Sequence, residues 1–123
     1  MSLSMRFLLT AALWGVIGMF LGIIMGAKED FSLAPVHAHI NLLGWVSLAI
    51  YGIVFRLYPA MTEGRLAGWQ FYLANLGLLI MAPSLAMVLK GSKSALPALV
   101  LSEFMVFGSL LVFLLILWKN RNV

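Results

Sequence analysis

Apolar positions fill four long stretches of the chain, and the polar residues between them come in short breaks. The stretches run from about Met5 to Met25, Pro35 to Tyr58, Leu66 to Leu89 and Leu96 to Trp118. A helix rises ~1.5 Å per residue, so crossing ~30 Å of hydrocarbon takes roughly 20 residues. Each stretch is long enough. Their apolar character is nearly unbroken, the pattern of helices surrounded by lipid and by one another rather than resting on a soluble core. The reading is an all-α membrane protein with four transmembrane helices in a single domain over residues 1–123. Arg6 ahead of the first stretch and Gly26-Ala27 behind it give it the outline of a secretory signal. Its apolar run exceeds the roughly 7 to 15 residues of such signals, which predicts a retained span.

Composition agrees with that pattern. Of 123 residues, 63% are hydrophobic and 10% charged, which excludes an ordinary soluble domain with a polar surface. The net charge of +4 does not point to nucleic acid, because the eight Lys and Arg are scattered singly through loops and ends. They report orientation instead. Arg6, Arg56, Arg65, Lys119 and Arg121 fall on one side and Lys28, Lys90 and Lys93 on the other, five against three, which predicts both termini in the cytoplasm. The chain has no cysteine, so disulfides, thiolate ligands and cysteine-attached haem are all excluded.

The candidate chemistry sits at the start of the second span, in Pro35-Val36-His37-Ala38-His39-Ile40-Asn41. Pro35 suits the first helical turn, where its missing N–H would be unpaired anyway. The chain's two histidines follow at once, near the predicted outer face. An imidazole ligates a metal through a neutral nitrogen, so it does so in lipid without a buried charge. At ~100° per residue, His37 and His39 diverge by about 200° around the helix. One helix cannot chelate one ion with both.

The His37 stripe continues through Asn41, Gly44, Leu48, Tyr51 and Gly52, and the His39 stripe through Leu42, Leu43, Val46 and Ile50. Gly44, two turns beyond His37, leaves room for a flat group bound at that imidazole, and equally for a neighbouring helix.

Elsewhere, Gly15, Gly18, Gly22 and Gly26 on the first span predict close helix packing, and Met25 is a second-choice thioether ligand. Asn75 on the third span predicts an interhelical hydrogen bond, and Pro83 an interrupted backbone ladder. Trp45, Trp69, Trp118 and Tyr58 read as boundary or gap-filling aromatics. Glu103 lies about two turns inside the fourth span, close to the depth of the histidines. It reads as a proton carrier, as a partner for a ligating imidazole, or as a protonated carboxyl bonded to Ser102 or a neighbouring helix. A metal ion held within one chain needs three or four ligands, more than two opposed imidazoles supply. Haem needs only one or two.

The segment Pro35-Val36-His37-Ala38-His39-Ile40-Asn41-Leu42-Leu43-Gly44-Trp45-Val46-Ser47 resembles the haem-copper oxidase superfamily, which includes nitric oxide reductases and membrane proteins tied to nitric-oxide stress. In that family the second span carries a low-spin haem histidine near the outer face and a later span a His-x-His pair whose members ligate two different haems, and His37 and His39 match the spacing of that pair. The copper-ligating histidines and the crosslinked tyrosine of many oxidases have no counterpart here, so a non-catalytic role in electron transfer or in binding NO or O2 is expected. The family's large subunit places twelve spans in three arcs of four with approximate threefold symmetry. A four-span relative is therefore expected to act as one third of that arrangement, in a homotrimer within a bacterial cytoplasmic membrane.

The resemblance implies non-covalent haem b gripped by His37 of one chain and His39 of the next, with Asn41 and Gly44 beside it; Lys28 and Arg56 read first as ordinary boundary anchors and only second as partners of its propionates, Lys28 alone lying on the predicted outer side. Two alternatives stand beside it: a metal-free assembly protein, and a copper or zinc site between subunits. The redox partner is unspecified.

Overall fold

The computed structural model describes every residue from Met1 to Val123, and all its regular structure is helical. Helix α1 is Leu3–Lys28, α2 is Ala34–Leu57, α3 is Leu66–Leu89 and α4 is Leu96–Lys119, with 3-10 turns at Pro59–Thr62 and Lys93–Ala95. All four are long and apolar enough to cross a membrane. The end that carries the α1–α2 and α3–α4 loops is called the outer end below.

Local chemistry sets the helix ends. The Ser2 hydroxyl caps α1 by accepting the Met5 N–H at 3.2 Å. At the outer end, α1 and α3 stop in the same way, with a residue at positive φ followed by a long backbone return. Glu29 (φ 50) precedes a bond from the Asp30 N–H to the Met25 carbonyl, and Gly91 (φ 94) one from the Ser92 N–H to the Met87 carbonyl. These six-to-one bonds satisfy carbonyls that a helix end would otherwise leave bare. Pro35 occupies the opening turn of α2, as the sequence predicts, and Pro97 that of α4. Helix α3 runs unbroken through Pro83, and the Ser84 hydroxyl donates to the Ile80 carbonyl at 2.7 Å.

Packing divides the bundle into two hairpins, α1 on α2 and α3 on α4, joined mainly where α2 meets α3. At the inner end, edge-to-face and tilted rings draw the hairpins together. Phe7 lies 5.1 Å from Phe71, and Tyr51 and Phe55 lie 4.6 Å and 5.8 Å from Phe113, between ring centroids. Such pairs contribute ~0.5–1.5 kcal/mol beyond their buried area. Toward the outer end no comparable contact joins α2 to α4, and a cleft opens between them.

Helix α2 is not a uniform α-helix: Ile40–Val46 is a π-helical segment. The Leu42 carbonyl accepts both the Ser47 N–H, five residues on, and the Ser47 hydroxyl at 2.7 Å. The wider turn advances fewer degrees per residue than an α-helix and so changes which residues share a face. In an uninterrupted α-helix, His39 and Tyr51 would stand about 120° apart after twelve residues. The π segment takes up that lag, and His39, Leu43, Ser47 and Tyr51 all line the α2–α4 cleft. This corrects the sequence-based assignment of Tyr51 to the His37 stripe alone.

One buried group pays a cost. Gln70 on α3 is 0% exposed, and neither its amide N–H groups nor its carbonyl oxygen has a partner. Gln70→Met, which removes both orphaned groups at similar volume, is expected to stabilise the detergent-solubilised protein by about 1–3 kcal/mol. A thermal melt that stays level or falls refutes this.

Candidate functional site

The site grows out of the contact between α1 and α2. Three glycines of α1 lie under three side chains of α2 spaced four apart. A Cβ built on Gly22 would stand 2.8 Å from His37 Cε1, one on Gly18 would stand 2.7 Å from Asn41 Nδ2, and one on Gly15 would stand 3.1 Å from the Trp45 ring. Without those side chains, His37, Asn41 and Trp45 settle onto the α1 backbone. The fourth glycine of the predicted stripe, Gly26, has nothing within 4 Å and takes no part.

Close approach fixes the chemical form of His37. Its Nδ1 lies 2.7 Å from the Gly18 carbonyl oxygen, which can only accept, so Nδ1 carries the proton and Nε2 holds the lone pair. The Asn41 amide stands 3.2 Å from the same Nδ1 and donates instead to the His37 carbonyl at 2.9 Å. Asn41 therefore props the imidazole's own turn.

His39 repeats the arrangement on the opposite flank. Its Nδ1 lies 2.6 Å from the Pro35 carbonyl oxygen one turn back, again fixing the proton on Nδ1. In both residues Nε2 has no protein partner. His37 faces α1, whereas His39 is exposed at the α2–α4 cleft. The predicted divergence of the two rings is the geometry found.

The cleft beside His39 has a volume of about 330 Å³ and mostly apolar walls. Glu103 lines it too, so the carboxylate and one of the two histidines share this cleft. Ser102 donates to the Leu99 carbonyl at 2.7 Å and is not paired with Glu103. No set of three or more His, Asp or Glu side chains gathers in a way that would hold a metal ion.

Other expected participants lie elsewhere. Gly44 does not open a slot beneath His37: a Cβ there would stand 2.6 Å from Trp14 Cβ and 2.7 Å from Leu78 Cδ2, so this glycine admits side chains of α1 and α3. Met25 is buried in a separate outer hollow with Lys28 and Asp30. There the Ser32 N–H donates to the Asp30 carboxylate at 3.0 Å, and this bond, with the charges of Lys90 and Lys28, holds that carboxyl below its ordinary range. Arg56 belongs to the inner end of α2, far from the histidines. Asn75 makes the interhelical bond its type predicts, accepting from Trp14 Nε1 at 3.1 Å.

Sequence reasoning missed Ser47 and the cleft-facing position of Tyr51, because nothing in residues 40–46 announces a π turn. The chain is an all-helical protein with four helices able to span a bilayer and two opposed imidazoles near one end. No family model matches it, and neither a curated protein nor a solved structure does.

Proposed function

We propose that the protein binds haem b in the membrane, with the iron held between His37 of one copy and His39 of the next, and that it carries electrons or binds a diatomic gas. One observation carries the reading. Both imidazoles commit Nδ1 to a backbone carbonyl and leave Nε2 free, the arrangement that orients a ligating histidine and raises its basicity. The donor set fits haem better than a bare metal ion: two nitrogens on opposite flanks of α2 cannot meet at one centre, and at neither flank do three ligating side chains gather. Bound in this way, haem supplies a one-electron redox centre.

The residues do the positioning. Gly18 and Gly22 let the His37 ring lie against α1, and Gly18 holds its proton; Pro35 does the same for His39. Because each chain offers one imidazole on each flank, a head-to-tail ring satisfies every imidazole, and a ring of three is the arrangement the likeness to haem-copper oxidases suggests. The positive-inside count supports cytoplasmic termini, with the histidines near the outer face of a bacterial cytoplasmic membrane.

Absorption and pyridine hemochrome spectra of the detergent-purified protein, expressed with ample haem, test the proposal. A Soret band with b-type hemochrome is expected. Colourless protein rejects it in favour of a metal-free assembly role, and copper or zinc found by elemental analysis without a Soret band favours an ion between subunits.

A further inference from the structure

We propose that the lower part of the α2–α4 cleft is a binding site for an uncharged, hydroxyl-bearing aromatic amphiphile that enters from the bilayer. The cavity, about 330 Å³, lies at the small end of the ~300–1,000 Å³ range of ligand sites and has their usual character of apolar walls with a few polar groups. Phe107 and Leu110 stand at its edge, 58% and 53% exposed, so its mouth faces hydrocarbon rather than water. Entry from lipid follows.

The polar groups state what would be recognised. Ser47 gives its proton to the Leu42 carbonyl and keeps its lone pairs for the cleft. Glu103 has no partner within the protein and adds carboxyl oxygens on the facing helix. Both favour a ligand that donates a hydrogen bond. No Lys or Arg lines the cavity, so a phosphate or carboxylate head would find no counter-charge and would meet an acidic residue instead.

The second observation lies at the floor. Tyr51 is only 6% exposed yet lines the cavity; the Ser109 hydroxyl beside it gives its proton to the Val106 carbonyl at 2.6 Å. Tyr51 and Phe107 offer ring faces and edges, which suit an aromatic ring better than an alkyl chain. A hydroxyl held by Glu103 leaves the Nε2 of His39, at the outer rim, free for the role proposed above. The two proposals do not depend on each other.

The test is photolabelling of the full-length protein in lipid nanodiscs with a para-alkylphenol that carries a diazirine, against the matched para-alkylbenzoate. Saturable phenol labelling is expected in peptides covering residues 43–51 and 103–110, with the benzoate weaker by about ten-fold, the value of a hydrogen bond to a carboxyl group. Leu110→Trp, a substitution at the exposed mouth that leaves the core alone, is expected to abolish the saturable labelling, and Glu103→Gln to narrow the preference for phenol. Labelling that does not saturate, that spreads equally over lipid-facing Leu13 and Leu114, that favours the benzoate, or that survives Leu110→Trp overturns the site. The readout is mass-spectrometric, so its failure leaves the histidine proposal standing.

Discussion

Expressed together in one membrane, chains carrying His37→Ala and chains carrying His39→Ala are expected to recover a six-coordinate haem that neither forms alone. In the proposed head-to-tail ring each variant by itself would break every junction, because each junction would need His37 from one chain and His39 from its neighbour. A mixed ring restores one junction. The His39→Ala chain supplies the intact His37, and the His37→Ala chain supplies the intact His39. With random assembly into rings of three, about three-quarters of the rings are mixed and each carries one complete site, so about one-quarter of the unmodified haem content should return. Pyridine hemochrome per mole of protein measures it. A mixture that equals the average of its parents rules out the shared site. If His39→Ala alone keeps the unaltered spectrum, a single-histidine haem at His37 replaces it.

That test rests on features that the sequence announced clearly. The unbroken apolar windows, the proline at the head of the second span and the two-residue spacing of the histidines each have a direct physical reading, and the helices and opposed rings follow from them. What the sequence concealed is more instructive. A periodicity argument assumes one angular step per residue, and the π segment Ile40–Val46 breaks that assumption just below the histidines. Tyr51 therefore joins His39 at the cleft. The same widened turn keeps His37, Asn41 and Trp45 in line over Gly22, Gly18 and Gly15, where a uniform α-helix would have carried Trp45 off that line. Gln70 was hidden for a different reason: whether a polar side chain inside a membrane helix finds a partner depends on its neighbours in space, which composition does not reveal.

The glycines separate packing from ligand support, and three alanine substitutions are expected to fall in a fixed order. Gly44→Ala should be the most destabilising, because its new methyl would meet Trp14 Cβ at 2.6 Å, close to the backbone of α1, where little can give. A cost of about 1–3 kcal/mol is typical of such overpacking. Gly22→Ala meets only the edge of the His37 ring, at 2.8 Å. The ring can swing, so stability should fall less, but the swing strains the Nδ1 bond to the Gly18 carbonyl and redirects Nε2, and the haem spectrum should change out of proportion to the melting temperature. Gly26→Ala meets nothing within 4 Å and should be neutral or stabilising by up to about 0.5–1 kcal/mol through the better helix propensity of alanine. Thermal melts and absorption spectra of the three proteins decide the matter. If Gly26→Ala is as damaging as Gly22→Ala, the outer end of α1 around Gly26 packs against another copy. If Gly22→Ala leaves the spectrum untouched, the Gly18 carbonyl does not set the orientation of His37.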